Sequence, residues 1–240
     1  MLSITQLDSP IDGMKPDDMI YLNENGKEIQ RVKNGQPDRT FVVKTTKSTS
    51  DIYTPEEIES GKAGNSNPIS KSDAKKTEAE IGKGNLTGDH MSNVVETENA
   101  STMKSMYDIV SQDNGKGGTR DANNREYGGE ISAAGQITES KPGEVSNPKT
   151  DSEAIVTHRT FGDDTRTIFH SHPSGQIVEG PGSNTVGGST TTYQFQQGPS
   201  SDDISNSGSS VQYEFGRRSG TVYIYNSTGV VATLPSKIFK

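Results

Sequence analysis

The sequence predicts an α+β protein: a mixed β-sheet with flanking helices, preceded by a small β-meander. Three observations predict it. Short apolar runs bounded by turn residues recur near both ends of the chain. One amphipathic helix stands ahead of the larger group of these runs. Between the two groups lies a long polar stretch with little apolar periodicity.

Each element has its local reason. Residues 20–22 (IYL), 29–32 (IQRV) and 40–43 (TFVV) read as strands. Asn25-Gly26 and Asn34-Gly35 between them are turn signals, because both residue types tolerate φ > 0. Together they predict a three-stranded meander within a leader, residues 1–50. Residues 51–98 read as a polar linker rich in Ser, Gly, Asn, Lys and Glu. Thr54-Pro55-Glu56-Glu57 starts a short helix there, with Thr as N-cap, Pro at the first helical position and acids in the first turn. Gly61 and Gly64 end it.

Residues 99–112, NASTMKSMYDIVSQ, put Met103, Met106, Tyr107 and Val110 on one helical face. They open a region expected to form one domain, 99–240. Strands are expected over 126–133, 154–160 and 165–169, the last two joined by the turn Phe161-Gly162-Asp163-Asp164. Residues 176–199, rich in Gly, Ser and Thr, read as a long loop. Strands near 212–215, 221–226 and 229–234 close the chain.

Composition narrows the function classes. Only 27% of the 240 residues are apolar, below the usual share, so one tight core over the whole length is not expected. No apolar run is long enough for a membrane helix, and the N-terminus lacks signal-peptide character, so no membrane partner is expected. With no cysteine, disulfides and thiolate metal ligands are excluded. A net charge of −8 weighs against a nucleic-acid partner.

Two of the four histidines stand close together in TIFHSHPSG, residues 167–175. Side chains at i and i+2 of a strand share a face, so His170 and His172 would aim both imidazoles at one point. Pro173 then stops the strand. Two such rings suit a zinc site; the alternative is a pair bonded to backbone. In GPSSDDI, residues 198–204, Ser200 and Asp203 form S-x-x-D ahead of Ile204. A carboxylate there would complete three protein ligands and leave a fourth position for water, as in catalytic zinc sites. Asp202 is the neighbouring alternative, and the S-x-x-D register favours Asp203. Upstream, Glu126, Gly129 and Ile131 make E-x-x-G-x-I on an expected strand. Glu130, on the same face, is the second candidate for a base. His158 is either a supporting partner of a metal-bound histidine or an ordinary strand residue. His90, in the polar stretch, has no assigned role. The pair followed by Glu179 is also similar to a cupin metal site, but the glutamate stands too far along the chain.

Taken in order, E-x-x-G-x-(apolar), H-S-H-P-x-G and P-S-x-x-D-I resemble the JAB/MPN (JAMM) metalloprotease family, over roughly residues 99–235. The resemblance implies the layering of that fold, which is like that of cytidine deaminases. It implies zinc held by His170, His172 and Asp203, Ser200 helping to hold a tetrahedral oxyanion, and Glu126 as general acid/base. The implied activity is zinc-dependent hydrolysis of peptide or isopeptide bonds, with a protein or peptide as substrate. The alternative is a metal-binding or catalytically silent module of the same fold. One departure stands out. Residues 173–202 separate His172 from Asp203, a far longer interval than the family's usual one. An insertion near 176–199 would explain it, acting as a lid, a specificity loop or an inert excursion.

The front end, SPIDGMKPDDMIYLNENGKEIQRV, is similar to the junction that follows the core of RHS-repeat proteins, over residues 8–45. Ile11-Asp12-Gly13-Met14 matches its D-P-x-G-like signature loosely. That resemblance implies a JAB-like toxin tail, secreted or injected into a target cell as part of a larger polypeptide, with a cognate immunity protein as partner.

Overall fold

The computed structural model describes residues 18–150, 154–156, 164–180 and 189–240. The junction-like Ile11-Asp12-Gly13-Met14, His158 and the turn 161–163 lie outside the described residues.

The chain starts with a hairpin, β1 (Asp18–Leu22) and β2 (Glu28–Lys33). Gly26 turns it with φ at 73°, a conformation that costs glycine little. A Cβ there would also press on Ile238 Cγ2 at 2.9 Å. β3 (Arg39–Val43) then lies beside β1 and parallel to it, with Met19 opposite Arg39 and Leu22 opposite Val42. The three strands fall where the sequence places them, but they do not form a meander. Burial explains the order. β1 buries Ile20 and Leu22 completely, whereas no residue of β2 is buried. So β1 takes the centre and β2 the edge.

Residues 51–98, expected as a polar linker, carry regular structure. α1 (Thr49–Ile52) and α2 (Pro55–Glu59) come first. Thr54 caps α2 as its sequence predicts, its side chain accepting from Glu57 N at 3.2 Å. α3 (Lys71–Gly82) is capped by Ser70, and α4 (Gly88–Met91) leads into β4 (Val94–Thr97). β4 pairs antiparallel with β3, which completes a four-stranded sheet of order β2-β1-β3-β4. α3 buries only Ala74, Thr77 and Ile81. Two of these are small or polar, so its apolar stripe is too thin to stand out in the sequence. Ala74 and Ile81 pack with Val43 in a cluster flanked by Tyr21 and Ile29.

α5 (Ala100–Val110), capped by Asn99, buries Met103, Met106 and Val110 on the face that their spacing predicts. The larger sheet follows: β5 (Gly128–Ser132), β6 (Ile137–Glu139) and β7 (Thr165–His172). Next come a separate antiparallel hairpin, β8 (Gln176–Glu179) and β9 (Thr191–Gln194), and α6 (Ser201–Asn206). β10 (Gln212–Gly216), β11 (Thr221–Asn226) and β12 (Gly229–Pro235) finish the sheet. Its order is β12-β11-β10-β7-β5-β6, with β7 and β10 parallel and the other pairs antiparallel. The architecture is therefore mixed α+β, with a central mixed sheet and flanking helices.

Two expectations change. The 176–199 loop contains the β8–β9 hairpin; its strands, QIVE and TTYQ, are short and bury little, so they leave a weak alternation signal. Residues 154–156 belong to no strand; Val156 is instead tied to Glu126, as described below.

One buried cluster joins the two sheets. Ile20, Leu22 and Val42 of the small sheet share it with Met103, Met106 and Phe169. The outer edge of β12 is covered by the polar segment: Thr45 N donates to Val231 O at 2.9 Å and Asn67 N to Val230 O at 2.9 Å. Covering an edge in this way removes a row of unpaired backbone groups. Among the described residues, no helix is long and apolar enough to cross a membrane.

Candidate metal centre

Strand alternation sorts the residues of β7. Phe169 points into the core, and Ser171 binds the residue just ahead of β5, its Oγ accepting from Tyr127 N at 3.1 Å. His170 and His172 therefore face the other side together, with ring centroids 5.3 Å apart. Gly128 of β5 lies directly opposite His170; a Cβ there would sit 3.0 Å from His170 Cβ and 2.4 Å from Phe169 O. The glycine lets the histidine strand pass close. Pro173 ends β7, and the next residue is clamped. Ser174 N and Oγ donate to buried Asp113 at 2.6 and 2.5 Å, which fixes the loop leaving His172.

Asp203 arrives on α6. Ser200 is the N-cap, and the S-x-x-D motif is a reciprocal capping box. Ser200 N and Oγ donate to Asp203 Oδ2 at 2.7 and 2.6 Å, while Asp203 N donates back to Ser200 Oγ at 3.1 Å. Residues of the supposed linker hold this turn in place. Tyr53 Oη donates to Pro199 O at 2.8 Å, Gly64 N to the same oxygen at 3.0 Å, and Ser201 N to Lys62 O at 2.9 Å. So positioned, Asp203 Oδ1 lies 3.5 Å from His170 Nε2, and Oδ2 lies 3.8 Å from His172 Nε2.

Glu126 stands two residues before β5. Its Oε2 accepts from Val156 N at 2.9 Å, and its Oε1 lies 3.6 Å from His172 Nε2. A third acid of the centre belongs to no motif in the sequence. Glu214 of β10 is opposite His170 in the parallel register, so its side chain shares the histidine face. It is fully buried. The signal available was a lone acid between Tyr213 and Phe215 in a strand buried throughout, an uncommon place for an unpaired glutamate. Glu214 Oε1 is 3.0 Å from His172 Nδ1, and Oε2 is 3.8 Å from His170 Nε2. Glu214 Oε1 and His172 Nδ1 are not aligned for a hydrogen bond, and both Glu214 oxygens are buried without a hydrogen-bond partner.

Burial governs the charges. It pushes His170 down to about 4, against the pull of Asp203, and lowers His172 as well. It pushes Glu126 well above the usual carboxylate range, opposed by the Val156 N–H and aided by Asp203. Burial, then Asp203 and Glu126, raise Glu214 in the same way. Burial also presses on Asp203, but the two histidines and the Ser200 hydrogen bonds outweigh it and hold that carboxyl below its usual value. The imidazoles are thus neutral near pH 7, the form that binds metals.

One ligand atom from each of His170, His172, Asp203 and Glu214 lies within 4.8 Å of the others. Atoms about 2.0–2.1 Å from a four-coordinate ion stand roughly 3.3–3.4 Å apart, close to the 3.5 and 3.8 Å measured about His170 Nε2. The orphaned oxygens of Glu214 and the His/carboxylate donor set fit a divalent ion such as zinc. No family model matches the chain, and neither does any curated protein or solved structure. The metal-binding character therefore rests on this geometry.

The centre opens into a cavity of about 500 Å³ lined by Glu126, His170, His172 and Asp203, with Val156 and Phe195 among its apolar walls. Ser200 lines it too, its hydroxyl engaged with Asp203. Asp202 is exposed at the same cavity, and the carboxylate that reaches both rings is that of half-buried Asp203. Glu130 does not line the cavity; its Oε2 accepts from Thr165 Oγ1 at 3.3 Å. His90 pairs with Glu80 at 2.8 Å, and Glu179 with Lys149 at 2.6 Å, so neither joins the cluster.

Proposed function

We propose that the chain is a zinc-dependent hydrolase of peptide or isopeptide bonds with a JAB/MPN-like site. One observation carries the reading: Glu126, the His170/His172 pair and Asp203, distant in sequence, converge on one cavity. His170, His172 and Asp203 would hold the ion. A divalent ion bound there supplies Lewis acidity, polarising an amide carbonyl and making water a competent nucleophile near neutral pH.

Glu126 handles the proton. Val156 N–H occupies Oε2, so Oε1, on the His172 side, is the atom that accepts a proton from attacking water. As the water oxygen bonds to the carbonyl carbon and the C–N bond breaks, the same proton passes to the departing amine. Burial raises this carboxyl, which makes it the stronger proton acceptor when ionised; once it holds the proton it can donate it to the amine. Ser200 holds Asp203 through the capping box; the oxyanion role that the resemblance implies needs its hydroxyl to leave Asp203 Oδ2. The apolar walls limit competing water around the reacting amide.

The second reading is a module that binds metal without cleaving. It is favoured by the same two hydrogen bonds, since both Glu126 and Ser200 are engaged within the chain. Turnover of a peptide or isopeptide substrate by the zinc-loaded wild type separates the two, and Glu126→Gln tests the base. Under the hydrolase reading it keeps zinc, measured by elemental analysis, and loses about 100-fold or more in turnover of peptide or isopeptide substrates. Unchanged turnover in that variant would remove Glu126 from the mechanism.

A further inference from the structure

The resemblance supplies three protein ligands; the structure offers four. We propose that Glu214 binds the metal directly, so that the centre has two imidazoles and two carboxylates from the protein and the attacking water would enter as a fifth ligand. This extends the metal reading above and rests on it.

The first ground is the state of the carboxylate. Glu214 is fully buried, and neither oxygen has a hydrogen-bond partner. An isolated carboxylate in that position is costly, and a neutral carboxyl would leave its own polar atoms equally unmet. A cation between the oxygens and the rings meets both needs. The second ground is placement. The parallel register of β7 and β10 sets Glu214 beside His170, on the face that carries both rings. Asp203 approaches His170 Nε2 from α6 at 3.5 Å, and Glu214 approaches it from the sheet at 3.8 Å. Both separations resemble those between ligands of one ion.

The third ground separates this role from a supporting one. Carboxylates often hold a metal-bound histidine through its second ring N–H. Glu214 Oε1 comes within 3.0 Å of His172 Nδ1, yet the two are not aligned for a hydrogen bond, and neither atom has a hydrogen-bond partner. The carboxylate is near the ring without being aligned to orient it. A second carboxylate also cancels the charge that a divalent ion would keep with Asp203 alone, and adds oxygen donors, which favour manganese more than a two-imidazole set does.

Cobalt(II) serves as the probe, because its visible absorption reports the number and kind of ligands. Wild type and Glu214→Gln are titrated with cobalt as full-length chains. The expected result is a drop in cobalt affinity of about 100-fold in the variant, the upper end of what loss of a supporting carboxylate causes, together with a changed spectrum of the bound ion. Reduced affinity with an unchanged spectrum would make Glu214 a positioning residue and overturn the proposal, as would unchanged affinity. If wild type takes up no cobalt, zinc or manganese, the metal reading itself falls, and this proposal with it. Should the variant not fold, the zinc-loaded wild-type crystal structure decides. A Glu214 oxygen at about 2.0–2.2 Å from the ion supports the assignment; one beyond about 3 Å overturns it.

Discussion

At the scale of single residues, the S-x-x-D motif has two readings in one geometry. Ser200 and Asp203 cap α6, and the same bonds fix the carboxylate that faces both histidines. Sequence alone supplies either reading; the structure joins them. Ser200→Ala is therefore expected to do two things. Loss of the cap should lower stability by about 0.5–2 kcal/mol, read from denaturant unfolding. Loss of the hydroxyl bond to Oδ2 should weaken zinc by about 10-fold, read by competition with a chelating dye. Ser200→Thr, which keeps a hydroxyl, should restore both. Lower stability with unaltered zinc affinity would separate capping from ligand placement. Glu214 shows the limit of motif reading. It belongs to no short signature, and its importance appears only when β10 is seen to run parallel beside β7.

At the scale of elements, α6 depends on residues far away in the chain. Tyr53, Lys62 and Gly64 all bond to residues 199–201. Gly64 is the tightest of these contacts. A Cβ there would meet Pro199 O at 2.7 Å, Ile204 Cγ1 at 2.8 Å and Ser200 O at 3.1 Å, so the backbone must shift. Gly64→Ala is expected to displace the start of α6 and weaken zinc by roughly 10-fold although residue 64 touches no ligand. Zinc binding at wild-type strength would show that α6 is placed by the large sheet alone. What the sequence made legible follows the strength of periodicity. α5, with Met103, Met106 and Val110 at helical spacing, and the three leader strands are found where expected. α3 is missed because its buried stripe is Ala74, Thr77 and Ile81. The β8–β9 hairpin is missed because Gly, Ser and Thr dominate around two four-residue strands. The parallel β1–β3 pairing depends on which strand has most to bury, and local turn signals do not carry that information.

At the scale of the whole molecule, low apolar content is offset by sharing. The leader strands and the sheet that carries the histidines contribute to one buried cluster. The polar middle segment closes the β12 edge and braces α6. A chain with 27% apolar residues thus builds its main core by drawing on both ends, and its charged and polar middle becomes the frame of the site. That frame leaves buried acids and neutral imidazoles facing one another, an arrangement that bound cation would stabilise by linkage. Zinc titration of the metal-free chain beside the His170→Ala/His172→Ala double variant tests this most directly. One equivalent of zinc is expected in the wild type and none at comparable affinity in the double variant. A wild-type chain that takes up no zinc, or a double variant that binds it equally well, would contradict a metal centre at these residues.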